Sequence, residues 1–203
     1  MLADRDRSKV AGRRAHLLGV ARTIFAERGY QATTMDDVAR AAGFTKPILY
    51  QYFDSKAALY REIVADVAER LLARMAEAVA TSESPRERLE LALRAYFVTV
   101  VEETDAFRIL FIHHHDGDTV RVLRRLERGL VSFLEPYINA EISDEHRRQV
   151  AGGVVGMAEG VATTWLVEQE GRGRPAPAPG EADRLAARAA TLAWSGLRAV
   201  HEE

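Results

Sequence analysis

Between Thr34 and Phe53 the chain starts two helices and stops both. The Thr34 hydroxyl can cap free amides, and Asp37 stands three residues on, a capping-box spacing with the shorter acid. Met35, Val38, Ala39 and Ala42 supply an apolar face, and Gly43 provides the turn. Thr45 caps a second helix, Lys46 to Tyr52, with Pro47 in its first turn, where a missing amide hydrogen costs little. Two short helices joined in this way form a helix-turn-helix. The second must be exposed to enter a major groove, and the first must brace it through small residues such as Ala39 and Ala42. Leu49 and Phe53 lie four apart and share the buried side. Thr45, Lys46, Ile48, Gln51 and Tyr52 then project outward, and Tyr50 is placed to reach a phosphate. Gln51 can pair with adenine, while Pro47 and Ile48 can touch thymine methyls. Thr34 and Lys56, each at a helix N-terminus, add phosphate contacts.

The rest of the chain patterns as helix. Ala, Leu, Arg and Glu dominate, and Val and Ile do not alternate as in strands. The first helix is expected from about Lys9 to Arg28, with Leu17, Leu18, Ala21, Ile24 and Phe25 on one stripe and Gly29 ending it. A fourth, long helix starts after Asp54 or Ser55 and runs to about Ala80. Pro85 opens another to about Glu103, and Thr104 or Asp105 one to about His114. Asp116-Gly117-Asp118 reads as a turn. The next helix reaches about Asn139, with Pro136 as a kink. Ser143 or Asp144 begins a long helix to about Gln169. Gly171 to Gly180, with three alternating prolines, is a loop. A last helix covers about Glu181 to His201. The fold class is all-α, with about nine helices.

Charge divides the same way. Residues 1–60 hold ten basic and six acidic residues, a net of +4, whereas residues 61–203 net −6. A basic head on an acidic body suits a head that meets phosphate. Arg5, Arg7, Lys9, Arg13 and Arg14 either lie along phosphates, enter a minor groove, or form a solvated tail beside Asp4 and Asp6.

Gly29-Tyr30-Gln31-Ala32-Thr33-Thr34-Met35-Asp36-Asp37-Val38-Ala39, Ala42-Gly43-Phe44-Thr45-Lys46-Pro47-Ile48-Leu49-Tyr50-Gln51-Tyr52-Phe53 and Ser55-Lys56-Ala57-Ala58-Leu59 together resemble the N-terminal signature of the TetR family of repressors. The likeness covers about fifty residues without a gap. The family commonly has Val or Ile where Phe44 stands, and often His at Gln51 or Tyr52. Those departures bear on base preference. The resemblance implies an N-terminal DNA-binding domain, residues 1–56, and a helical ligand-binding and dimerisation domain, residues 57–203. It implies a homodimer on double-stranded operator DNA, released when a small molecule fills the body, with the long fourth helix carrying the shift.

In the body, Gly152, Gly156 and Gly160 share a helix face at four-residue spacing. Each glycine costs about 1 kcal/mol against alanine unless close helix contact offsets it. With Ala189 and Ala193 of the last helix they predict a four-helix dimer interface; tight packing inside one subunit is the alternative. Apolar pocket candidates are Tyr96, Phe97, Val100, Val101, Phe107, Leu110, Phe111, Phe133, Tyr137, Met157 and Trp165. The pocket set singled out is Phe97, Val101, Phe107, Phe111, His114, Tyr137, Met157 and Trp165, with Thr164 and Glu159 as further polar groups. The apolar bias points to a lipophilic effector.

The sequence argues against several other classes. His113-His114-His115 cannot converge on one ion, because adjacent helical residues point about 100° apart. No Gly-rich phosphate loop, nucleophile elbow or paired-histidine helix is present, so neither catalysis, cofactor nor metal is expected. There are no cysteines. The charged N-terminus lacks a signal's apolar core, and no unbroken apolar run reaches membrane-spanning length, so a cytoplasmic protein with no membrane partner is expected.

Overall fold

A computed structural model describes residues 2–111, 117–138, 141–173 and 176–200, with residues 2–11, 117–119 and 122 described by backbone only. Among them are nine α-helices: α1 Leu2–Arg28, α2 Met35–Ala41, α3 Lys46–Tyr50, α4 Lys56–Val79, α5 Pro85–Glu102, α6 Thr104–Phe111, α7 Gly117–Leu134, α8 Asp144–Gly171 and α9 Glu181–Leu197. They form two compact units, residues 1–67 with 105–122 and residues 68–104 with 123–203.

The caps explain most of the boundaries. The side chains of Ser84 and Ser143 accept from the Glu87 and His146 amides, starting α5 and α8. Gly29, with φ +79°, ends α1 in the left-handed region open to glycine. Other boundaries differ from the periodicity. α1 begins at Leu2, seven residues early, since Ala3 to Arg7 contains no helix breaker. Gly117 and Asp118 belong to α7, so the expected turn there does not extend past residue 116. Pro136 does not kink a continuous helix. It has no amide hydrogen for a helical bond, α7 stops at Leu134, and Glu135–Tyr137 tighten into a 3-10 turn. α3 closes at Tyr50 and α9 at Leu197, both short of the residues expected.

The first unit buries Leu17, Ala21 and Phe25 of α1, Val38 of α2, Leu49 of α3, Leu59 and Tyr60 of α4, and Phe107, Ile109 and Leu110 of α6. Phe25, Tyr30 and Tyr60 form an aromatic cluster with centroids 5.0–6.0 Å apart. The Tyr60 hydroxyl donates to the Ile109 carbonyl at 3.3 Å, fastening α4 to α6.

In the second unit α5 packs chiefly against α9, and α8 against α9. Thr99, buried on α5, satisfies its hydroxyl on Ala95 O at 2.8 Å. Arg70 forks onto Glu103 at 2.9 and 3.1 Å, and Arg94 meets Asp183 at 2.7 Å. Arg147 donates to the Ile138 and Ile142 carbonyls, tying the 3-10 turn to α8. By length and mean hydropathy α8 is also long and apolar enough to cross a bilayer. Its Ala151, Val154, Ala158, Ala162 and Leu166 are buried in the unit, as in the core helix of a bundle.

Candidate nucleic-acid interface

The construction begins at Thr34. Its hydroxyl accepts from the Asp37 amide at 3.1 Å, and Asp37 Oδ2 accepts in return from the Thr34 amide at 3.0 Å and the hydroxyl at 2.5 Å. This is the reciprocal capping box, so α2 starts at a defined residue. Those bonds, first the side chain of Thr34 and then its amide, hold the Asp37 carboxyl below the ordinary carboxylate range, and Arg40 at 2.6 Å adds to the effect.

The turn after α2 is equally determined. Phe44 N donates to Ala39 O at 2.9 Å and Gly43 N to Arg40 O at 3.1 Å, the paired bonds of a Schellman ending. That ending needs a left-handed residue, and Gly43 supplies φ +73°. Open space surrounds the position where a Cβ would stand, so backbone conformation and not crowding calls for glycine. Ala39 and Ala42 are buried, giving the close brace that small residues permit.

α3 follows with Leu49 and Phe53 buried, as their spacing requires. Thr45, Lys46, Pro47 and Gln51 are exposed, Tyr50 keeps 44% of its surface, and Ile48 and Tyr52 are half-buried. Gln51 caps the C-terminus of α3 through its backbone amide, leaving its side chain on the exposed side. Thr45 occupies the N-cap position, but its hydroxyl makes no cap bond. The outer face of α3 is therefore uncovered by the chain's own unit and carries one cation, a phenol, an amide and apolar edges.

Two cations expected at phosphate are committed elsewhere. Lys56 Nζ donates to the Tyr30 and Thr33 carbonyls at 2.8 and 3.0 Å and lies 4.3 Å from the Tyr30 ring centroid. It clasps the turn between α1 and α2, leaving one ammonium donor and the helix's own amides for an outside anion. Arg14 forks onto Glu62, with Nη2 to Oε2 at 2.6 Å, and lies 5.0 Å from the Phe53 ring centroid. It is a brace between α1 and α4 and no part of a free arm. Arg13 is exposed, whereas the Arg5, Arg7 and Lys9 side chains lie outside the described residues.

Sequence reasoning missed His16. Its Nε2–H donates to Ala42 O at 3.3 Å and its ring meets Phe44 edge-on, so α1 holds the end of α2. Nothing in the spacing could have paired residues 26 apart. Buried Thr33, whose hydroxyl reaches Gly29 O at 2.8 Å, was visible only as one of two adjacent threonines.

Residues 17–63 match the family described as "Bacterial regulatory proteins, tetR family". That segment of the chain is a TetR-family N-terminal domain. The chain is similar, with 28% identity over 93% of its length and 84% of the relative's, to the HTH-type transcriptional activator FasR of Mycolicibacterium smegmatis. Similarity to the HTH-type transcriptional repressor KstR2 of Rhodococcus jostii is 42% but spans about half of each chain, 50% and 48%. A solved TetR-like transcriptional regulator from Rhodococcus sp. RHA1 superposes with a TM-score of 0.74 at 26% identity, covering 93% of this chain and 97% of that one. A chain that carries this domain, and whose helix-turn-helix leaves its second helix uncovered, is a DNA-binding transcriptional regulator.

The residues expected to line one pocket are divided between the two units. Phe107 and Phe111 are core residues of the first unit, 5.6 Å apart. Phe97 and Trp165 are buried in the second, and Val101 and Met157 are half-buried. None of these six lines the cleft of about 310 Å³ in the second unit, but Tyr137 does. His114 lies outside the described residues, with the rest of the histidine run. Thr164 is exposed and donates to Gly160 O. Glu159 is half-buried, and its carboxyl is pushed up to about 7, first by burial and then by Glu127.

The five dimer candidates separate as well. Gly156 and Gly160 are exposed and Gly152 is half-buried, and a Cβ at any of them would meet nothing within 4 Å. Ala189 and Ala193 are 1% and 7% exposed within the single chain. These two alanines serve contact inside the subunit and have no surface to give a second copy.

Proposed function

We propose that the chain is a ligand-responsive repressor that holds operator DNA as a homodimer and releases it when a small lipophilic effector enters the body. Residues 1–56 read DNA and residues 57–203 bind effector and partner. In this reading Lys46 and Tyr50 contact phosphate, and Gln51, Ile48 and Pro47 meet base edges, with Thr45 and Tyr52 beside them. Thr34 and Lys56, at the starts of α2 and α4, lie beside phosphate, which the free first-turn amides of each helix attract. The uncovered outer face of α3 is the single observation that carries it. Gly152, Gly156 and Gly160, open in the single subunit, supply the close-approach face for a second α8. The exposed apolar residues Val167 on α8 and Leu192 on α9, 54% and 64% accessible, favour the same covering. The chain acts by binding, with no catalysis and no membrane partner, in the cytoplasm.

The test is mobility shift on the DNA upstream of the chain's own reading frame. Lys46→Ala and Tyr50→Phe each weaken binding while the circular dichroism and melting curve stay unchanged. Wild-type affinity in both would mean that another face meets DNA. Dimer heads must also reach successive major grooves about 34–36 Å apart. A second reading, activation, is favoured by the name of the relative matched over 93% of the chain. Run-off transcription on that DNA separates the two: repression lowers the transcript, and activation raises it.

A further inference from the structure

The 310 Å³ cleft of the second unit stands within the roughly 300–1,000 Å³ range of small-molecule sites. Its walls come from the start of α5, the end of α7 with its 3-10 turn, the first half of α8 and the end of α9. Among the described residues they are apolar except for Tyr137 and two arginines, Arg88 and Arg198, with no carboxylate in the lining. Arg88 is half-buried. Its Nε donates to Ser82 O at 2.6 Å and its guanidinium lies 5.7 Å from the Tyr137 centroid, so the group is held in place. Neither arginine has an ion-pair partner among the described residues, whereas Arg70, Arg74, Arg94 and Arg184 of the same unit each have one. Two cations on an apolar wall, one of them fixed by a neutral carbonyl, make a receptor for a negative head attached to an apolar body.

The tail has a direction. Ala92, Leu134 and Val154 line this cleft and also a smaller, wholly apolar void of about 20 Å³. That void is closed by Met75 of α4, Tyr96 of α5 and Leu130 of α7. We infer that the cleft binds an amphipathic anion, its carboxylate or phosphate head on Arg88 and Arg198 and its hydrocarbon tail over Ala92 and Val154 toward Met75. The inference rests on the proposed effector response and names its site and ligand class. The two arginines contribute unequally. Arg198 caps the C-terminus of α9, where the helix's own carbonyls already attract its charge, so Arg88 contributes more.

Trp194 lines the cleft and is one of two tryptophans in the chain, so a Trp165→Phe variant with a wild-type melting curve reports on the cleft alone. Its emission is titrated with decanoate, decyl phosphate, decanol and decyltrimethylammonium, all below micelle formation. The anions change the emission saturably, the alcohol binds about tenfold more weakly or less, and the cation does not bind. The two anionic heads, compared directly, tell a free carboxylic acid from a phosphorylated ligand. Arg88→Gln with Arg198→Gln weakens decanoate about tenfold or more and leaves decanol unchanged, a split that loss of folding would not produce. Arg88→Gln alone accounts for most of it. Ala92→Phe, filling the tail path, weakens all three headed compounds that bind. Equal binding of alcohol, cation and decanoate, or an unaltered decanoate affinity in the double variant, overturns the assignment. Mobility shift with the same samples keeps the two readings apart. DNA binding without anion binding removes this site and leaves the regulator, whereas anion binding without DNA binding does the reverse.

Discussion

The helix-turn-helix and the cleft are both built from helices, but they distribute their work differently. In residues 34–53 each side chain's job follows from its neighbours three or four positions away. Thr34 caps with Asp37, Leu49 and Phe53 share the buried side, and the residues between them stay outside. In the cleft the lining runs from Pro85 to Val200, through four elements that meet only once the bundle has formed. A surface defined by local periodicity can be altered one residue at a time. A cavity defined by tertiary meeting changes whenever any of its walls shifts.

The largest effect that would break this contrast is expected from Leu49→Ala. Leu49 is the only fully buried side chain of the five-residue α3, so the truncation removes most of what seats that helix. A loss of about 2–5 kcal/mol is expected, with the cost at the low end where the site collapses. Urea unfolding would show it, together with loss of DNA binding. Local legibility fails as an account of the head if α3 remains seated and DNA affinity is unchanged.

A smaller effect belongs to the body. Glu159 buries one oxygen without a hydrogen-bond partner among the described residues, and its carboxyl is raised to about 7 from an ordinary 4.5, first by burial and then by Glu127. Burial, and after it Glu159, also raises the Tyr96 hydroxyl. The folded state thus holds a proton that the unfolded chain gives up sooner. The stabilisation is complete below about pH 4.5 and lost as the pH rises through about 7. Glu159→Gln should therefore stabilise the chain at pH 8 by about 1–2 kcal/mol, the full shift being discounted because the group is partly solvated. Thermal melts at pH 5 and pH 8 check it: the variant gains at pH 8 and hardly at pH 5. A wild-type melting point that does not fall between those two values removes the basis for this prediction.

These two residues show how far the sequence could be read. Leu49 was legible because its partner, Phe53, is one helical turn away. Glu159 was visible only as a polar residue near apolar ones, since its neighbours Tyr96 and Glu127 lie 63 and 32 positions back in the chain. The partners of Lys56 and Arg14 were hidden for a related reason. A cation near a helix start looks the same in sequence whether it faces phosphate or, as here, a carbonyl pair or Glu62. Phe107 and Phe111 were apolar at helical spacing, which identifies a core but not which unit's core it is. Ala189 and Ala193 had the right size for a dimer seam, but α5 of the same subunit already covers the inner side of α9. The capped ends, the left-handed Gly43 and the buried stripe of α1 are properties of consecutive residues, and those are the parts that sequence resolves.

The sharpest small test of that distinction is the cap itself. Thr34→Ala leaves the burial of α2 and α3 intact and removes the hydroxyl that accepts the Asp37 amide. A cap of this kind is worth about 1 kcal/mol, so the urea midpoint should fall by a corresponding amount. Thr34→Ser keeps the oxygen and should lie much closer to wild type. The DNA readout adds what stability cannot. If Thr34 also supplies a phosphate contact, Thr34→Ala weakens DNA binding at a temperature where the variant is fully folded, and Thr34→Ser restores it. If the hydroxyl is spent entirely on Asp37, both variants bind DNA as the wild type does, and only the unfolding curve separates them. The outcome assigns Thr34 either to the helix alone or to helix and DNA together.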